Sequence, residues 1–168
     1  MLIYLFGALI IITISVLQTN VVGAIEIAGA RPDIALLFTL YLANRNGPTV
    51  GESAGFLSGL TQDILSIAPL GFYTLANTVL GLLYGFTRGN VYLDAFLAPV
   101  VMVFVATILK GLMFFLIGAV FSISEPLGSV WSLQFLMEIA YNTVLAPLVF
   151  GILGRFRSLE LNWRARSF

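Results

Sequence analysis

Residues 48–66 read Pro-Thr-Val-Gly-Glu-Ser-Ala-Gly-Phe-Leu-Ser-Gly-Leu-Thr-Gln-Asp-Ile-Leu-Ser. At the periodicity of an α-helix, about 100° per residue, one side of this segment carries small and polar residues, and the other carries large apolar ones. The small and polar side comprises Gly51, Glu52, Gly55, Ser58, Gly59, Gln62, Asp63 and Ser66. The sequence therefore predicts an amphipathic helix, which we expect to be the central helix of the fold.

Glycines recur at every fourth position of this helix, at Gly51, Gly55 and Gly59. Because glycine has no side chain, such a ridge lets a neighbouring backbone approach closely, which is how helices in membranes gain packing energy. Gly81 and Gly85 repeat the spacing in the next apolar segment, so the two segments are expected to pack as a hairpin. We interpret the ridge as a packing surface rather than a phosphate loop, because no strand precedes it and no lysine follows it.

The composition is that of a protein embedded in lipid. The chain has 168 residues, of which 60% are hydrophobic and 10% are charged, whereas a soluble domain carries about 25% charged residues. This predicts an all-α integral membrane protein in which residues 1–168 form a single domain. The net charge is zero, so nucleic acid is not an expected partner. Without cysteine or histidine, the sequence offers no catalytic, metal-binding or cofactor-binding set.

Six membrane spans are predicted, at about 2–17, 33–43, 48–66, 70–87, 92–121 and 129–154, followed by a basic tail at 155–168. Between the first two, residues 18–30 form either an ordered external connection or a helical extension of the first span. Pro32 and Asp33 suit the first turn of the second span. That span is short for a bilayer that needs about 20 residues. It therefore starts earlier, tilts in a thinned region, or is shielded by neighbouring helices.

Basic residues predict the orientation. Six spans place both termini on one side, and lysine and arginine favour the cytoplasmic side. Arg45, Arg88 and the tail fall on that side, and Arg31 falls on the other. Both termini are therefore expected in the cytoplasm. The tail either lies at the inner headgroups, where anionic lipids attract basic residues, or acts as a simple topology anchor.

Charged residues within the predicted spans are costly and therefore singled out. They are Glu52, Asp63, Lys110 and Glu138, and Asn77 and Asn142 add further polar groups to the spans. At 1.5 Å per residue, Lys110 and Glu138 lie at similar depths, so a contact between them is predicted. Asp63 lies close enough to the outer surface that it is expected to be hydrated. Two interpretations stay open. Either Asp63, Asn77, Lys110 and Glu138 line a polar outer cavity, or a buried ion pair fixes the register of the helices. Glu52 is expected within reach of Arg45 or Arg88.

Three segments together resemble the MreD family of bacterial rod shape-determining proteins. They are Arg31-Pro32-Asp33 with Leu42 to Pro48, Gly51 to Asp63 with Ser66 to Gly71, and Tyr141-Asn142 with Ala146 to Leu148 and Gly154-Arg155. The resemblance covers essentially the whole chain. It implies a non-enzymatic scaffold of cell elongation and peptidoglycan synthesis in the bacterial cytoplasmic (inner) membrane.

The same resemblance implies the partners and an alternative function. The protein's partner would be MreC, which would bind it through the spanning helix and the periplasmic region of MreC. Both would belong to a larger complex with MreB, RodA and a class B penicillin-binding protein. The short second span leaves neighbouring helices partly uncovered and is a candidate docking place. The family's fold is similar to the substrate-binding subunits of energy-coupling-factor transporters. The alternative is therefore a vitamin-binding subunit of that kind, which needs an enclosed outer pocket.

Overall fold

The computed structural model of the chain describes residues 2–21, 29–89, 96–121 and 132–156, and within the first of these ranges the side chains of 9–18. Six α-helices occupy the described residues: α1 (Leu2–Val21), α2 (Ile34–Asn46), α3 (Pro48–Leu65), α4 (Phe72–Gly85), α5 (Leu97–Phe121) and α6 (Leu133–Leu153). The basic tail from 157 onward lies outside the described residues. The same holds for most of the 18–30 connection and for the expected beginnings of the fifth and sixth spans at 92 and 129.

α2 is the enclosed helix of the fold. Every residue from Ala35 to Ala43 has a relative exposure of 0–2%. The expectation that α3 is central is wrong, because α3 exposes Phe56 and Ile64 on its apolar side. A helix that is apolar all round is stable when it is covered all round, and α2 has no charged residue before Arg45. Shielding by neighbours thus explains its 13-residue length, and a partner cannot dock on α2 itself.

Two apolar clusters surround α2. On one side, Leu36 and Leu40 pack with residues of α4 and α5 that include Leu80 and Val103. On the other side, Phe38, Tyr41 and Leu42 pack with Ile11 of α1 and with Val50 and Ala54 of α3. Helices α1, α3, α4 and α5 therefore all pack against the buried helix α2.

α3 and α4 form a hairpin in which backbone lies on backbone. A Cβ atom added to Gly55 would lie 2.0 Å from the carbonyl oxygen of Asn77, and one added to Gly81 would lie 2.0 Å from the carbonyl oxygen of Gly51. Gly59 and Gly85 are equally crowded, against the backbone of Thr74 and Pro48 respectively. The glycine ridge is therefore used inside the protein, as the spacing predicts.

α5 and α6 lie at the periphery. Among the described residues, these two helices are long and apolar enough to cross a membrane, with 25 and 21 residues. Only 17% of the most apolar part of α6 is buried inside the protein, and 33% of that of α5. Along α6 only Asn142 and Ala146 are buried. Most of the surface of these two helices therefore faces outward.

Candidate functional site

The site begins at the first turn of α2, where Asp33 is the N-cap. Its Oδ1 accepts a hydrogen bond of 3.0 Å from the backbone N–H of Leu36. A carboxylate is favoured there because the first N–H groups of a helix have no partner within it and carry partial positive charge. The carboxylate is nevertheless buried, at 3% relative exposure. It therefore needs further partners beyond the cap.

Lys110 of α5 supplies the counter-charge. Its Nζ lies 2.6 Å from Oδ2 of Asp33 and 3.0 Å from Oε1 of Glu138 on α6. The contact between Lys110 and Glu138 that depth predicts is thus present, at a side-chain exposure of 7% for the lysine and 25% for the glutamate. The Lys110 ammonium also lies 5.2 Å from the ring centroid of Phe114, which adds a cation–π attraction.

Asp33 is the member of this group that sequence reasoning missed. It lies 77 residues from Lys110 along the chain. Its position directly after Pro32 is already explained by the start of a helix, so that position alone gave no reason to look for a distant partner. A signal was present in the short second span: once α2 is enclosed, its first residue lies inside the bundle. A carboxylate buried there needs a positive partner or several hydrogen-bond donors.

Amides complete the network. Oδ1 of Asn142 accepts from the backbone N–H of Asp33 at 2.8 Å, and its Nδ2 donates to the hydroxyl oxygen of Thr107 at 3.3 Å. From α1, Gln18 donates its Nε2 to Oδ1 of Asp33 at 3.3 Å and accepts from the backbone N–H of Ala35 at 3.0 Å. The network thus joins α1, α2, α5 and α6. Hydrogen bonds of this kind can fix which register of the helices is populated.

Asp63 lies outside this network and closes the α3–α4 turn. Its carboxylate accepts from the backbone N–H groups of Gly71 at 2.9 Å, Tyr73 at 2.8 Å and Thr74 at 3.1 Å. It also accepts from the hydroxyl of Thr74. A carboxylate in the last turn of α3 therefore caps the first turn of α4. These bonds explain its burial, at 2% exposure, in place of the hydrated position that sequence depth suggests.

We expect Asp63→Asn to lower the stability of the hairpin. The amide loses the negative charge at the helix start and can accept through only one atom, so at least one of the three N–H groups loses its partner. Loss of such a cap costs about 1–2 kcal/mol. Thermal unfolding in detergent, followed by circular dichroism, should show the lower melting temperature. An unchanged melting temperature would contradict the capping role, and Ile64→Val, at the exposed neighbouring position, serves as the control.

The other predicted polar residues are placed separately. Asn77 is fully buried in α4, and its side-chain nitrogen and oxygen find no hydrogen-bond partner among the described residues. Glu52 lies on the exposed side of α3. Arg45 lies 5.9 Å from the ring centroid of Tyr41, and Arg88 donates to the carbonyl oxygen of Asn46 at 3.1 Å. The structure therefore brings together Lys110, Glu138 and Asn142, and leaves Asp63, Asn77 and Glu52 elsewhere.

The opposite end of α2 carries an open cavity of about 510 Å³, lined by Asn44, Arg45, Arg88 and Gly89. Tyr41 donates its hydroxyl to the carbonyl oxygen of Leu153 at 3.1 Å. The end of α6 and the arginines at the end of α2 therefore lie on the same side of the bundle. The buried network and the arginine-lined cavity occupy the two ends of α2.

Comparison with known proteins gives one result. A family model described as rod shape-determining protein MreD matches residues 1–156 of the chain. No curated protein and no solved structure matches it.

Proposed function

Because the chain belongs to the MreD family of rod shape-determining proteins, we propose that it is a non-enzymatic scaffold of the bacterial cell-elongation machinery that binds MreC. The family assignment itself gives a membrane protein with a role in rod shape determination. This is a family of structural, shape-determining proteins, not a known enzyme family. The proposal adds the partner and the manner of action.

The proposed arrangement is a single domain of six spans in the cytoplasmic membrane, with both termini in the cytoplasm. It is a compact bundle of the kind found in the substrate-binding subunits of energy-coupling-factor transporters. Two features support it. The arginines Arg45, Arg88 and Arg155 lie at the end of the bundle where α2 and α6 finish, which suits the cytoplasmic side. The 13-residue helix α2 is covered by its neighbours, so it does not need the length of a lipid-facing span.

The observation that carries the proposal is the contrast between an interior in which one polar network joins four helices and a periphery that the protein leaves uncovered. The buried polar groups of Lys110, Asp33 and Asn142 bond to one another, as they would in a framework that holds helices in register. Outside, α6 presents large apolar side chains such as Val144 and Leu148, exposed by 73% and 59%. Helices in membranes associate through packing and hydrogen bonds on such surfaces. Acyl chains and a partner helix are equally able to cover this apolar surface. The proposed scaffold function assigns part of it to a partner helix.

MreC is the proposed direct partner, through its spanning helix and its periplasmic region. MreB, RodA and a class B penicillin-binding protein would join in the larger complex of peptidoglycan synthesis. The transporter alternative gains no support, because Asp63 is engaged with the start of α4, and Lys110 is engaged with two carboxylates. These are the residues that would have to point into an outer pocket.

Co-purification tests this function. The tagged full-length chain is expressed in rod-shaped cells, extracted in a mild detergent and assayed for MreC. An unrelated multi-span membrane protein with the same tag serves as the control. We expect MreC to elute with the chain in a fixed ratio and to be absent from the control. Equal amounts of MreC in both eluates would refute the proposed scaffold function.

A further inference from the structure

We propose that Glu138 is the polar anchor of the partner-binding surface, and that it receives a basic side chain from a spanning helix of MreC along the exposed side of α6. This inference rests on the proposed function and specifies where and by what chemistry that function acts. It starts from the charges of the buried network.

The network carries one more negative charge than positive. Lys110 provides one ammonium group, and Asp33 and Glu138 provide two carboxylates. The shorter contact, 2.6 Å, goes to Asp33, whose carboxylate also accepts from Leu36 and Gln18. Asp33 is therefore the better satisfied of the two. The unbalanced charge belongs to Glu138, which accepts through Oε1 from the shared lysine alone among the described contacts.

Glu138 also lies at the edge of the bundle. Its side chain is 25% exposed, whereas those of Asp33 and Lys110 are 4% and 7% exposed. It is five residues into α6, which places it roughly 8 Å along the helix axis from Leu133. A partly exposed carboxylate at that depth is unfavourable against acyl chains by a few kcal/mol. A basic side chain from a neighbouring helix would remove this penalty and neutralise the network.

The surface beside Glu138 suits a helix. Gln134, one turn before it, is exposed, and at 100° per residue it lies within about 40° of Glu138 around the axis. Further along α6, Leu148 and Ile152 lie on the same side and are exposed by 59% and 46%. The strip therefore offers one acceptor and one amide followed by apolar side chains. A spanning helix with a single basic residue and an apolar remainder matches that order.

The partner's charge follows from this geometry. A carboxylate that already accepts from an ammonium group is best completed by a second cation, because a charge-assisted hydrogen bond is stronger than a neutral one. An acidic side chain would be repelled by Glu138 and Asp33 together. The structure thus assigns a lysine or arginine to the MreC helix, at the depth of Glu138.

The test combines photo-crosslinking with substitution in the full-length chain. A photoreactive amino acid is placed at Gln134, and at Ile64 on α3 as the control, where the exposure is 67%. Glu138→Leu removes the anchor, and Glu52→Leu removes an exposed carboxylate from another helix. Gln134→Trp adds bulk at the proposed surface without touching the buried network, and Ile64→Trp is its match. MreC crosslinked to the chain and MreC co-purified with it are both measured.

We expect position 134, and not position 64, to crosslink to MreC. Co-purified MreC should fall about tenfold for Glu138→Leu, since truncating one partner of a desolvated charge pair has an effect of that size or more. Gln134→Trp should show a similar loss, and both controls should bind normally. Because Gln134→Trp leaves the network intact, it still tests the proposed binding surface if the Glu138→Leu protein does not accumulate.

Two results would overturn the inference while leaving the proposed function in place. One is wild-type binding of MreC by Gln134→Trp together with crosslinks from position 64 in place of 134. The other is crosslinking of position 134 to lipid alone while MreC still co-purifies. If the wild-type chain does not bind MreC, the proposed function and this inference fail together.

Discussion

Gly55→Leu is expected to abolish or severely reduce accumulation of the folded protein, and Gly55→Ala is expected to lower its melting temperature measurably. A Cβ atom at this position would lie 2.0 Å from the carbonyl oxygen and 2.6 Å from the carbonyl carbon of Asn77. These are backbone atoms of α4, so the clash is relieved only by moving the helices apart. Overpacking of this kind costs about 1–3 kcal/mol for small additions and more for large ones.

Gly151→Ala is the matched control for this prediction. Gly151 also lies within a helix, α6, but a Cβ atom there would meet no atom of another helix within 4 Å. The substitution should leave stability unchanged or raise it slightly, because alanine favours the helix more than glycine does. Unfolding in detergent, followed by circular dichroism, compares the three variants. Equal stability of Gly55→Ala and Gly151→Ala would contradict the close approach of α3 and α4.

Lys110→Met is expected to destabilise the protein by about 3–5 kcal/mol, the usual effect of removing one partner from a buried ion pair. Methionine fills much of the same space, so the loss is of charge rather than of volume. Two carboxylates, Asp33 and Glu138, are then left next to each other without a cation. Because Asp33 is nearly inaccessible to solvent, hydration cannot compensate for the loss.

Glu138→Gln should have a much smaller effect on stability, below about 1.5 kcal/mol. The amide oxygen can still accept from Lys110, and Lys110 with Asp33 remains a neutral, hydrogen-bonded pair. The order of the two variants is therefore the prediction, measured by unfolding at a common detergent concentration. A Glu138→Gln protein as unstable as Lys110→Met would show that the outer carboxylate, rather than Asp33, balances the lysine.

The sequence alone predicted the hairpin contacts and the approach of Lys110 to Glu138. Both depend on spacing along a helix, which is regular: four residues for the glycines, and 1.5 Å per residue for the depth of a charge. Such arguments need no knowledge of how the helices are arranged. The predicted packing of residues 51–85 and the predicted contact between α5 and α6 are therefore both present in the structure.

The enclosed position of α2 and the role of Asp33 could not be derived in that way. In water, an apolar helix is expected to be buried, but in lipid an apolar side chain is equally suited to the interior and to the acyl chains. The apolar sequence of residues 35–43 therefore did not show whether α2 lies at the centre or at the periphery of the bundle. The amphipathic α3 was predicted to be central instead. The ion pair of Asp33 was missed for the same reason, because its partner, Lys110, lies on another helix across the bundle.

The position of Asp63 shows a further limit of depth arguments. Distance along the axis placed it near the end of its helix, where water is available, and that placement suggests hydration. The turn at Gly71 instead folds the first N–H groups of α4 back onto the carboxylate. Whether a carboxylate near a helix end bonds to water or to the next helix depends on the path of the turn, which spacing does not specify.

The protein is proposed to shape cells by binding MreC, through a framework held by packed backbones and one charge network. The most direct measurement replaces the chromosomal copy with each variant and records cell width together with the MreC recovered with the chain. Across wild type, Gly151→Ala, Glu138→Leu and Lys110→Met, restored rod shape should rise and fall with the amount of bound MreC. A variant that folds and binds MreC fully but leaves cells round, or one that restores rods without binding MreC, would contradict the account.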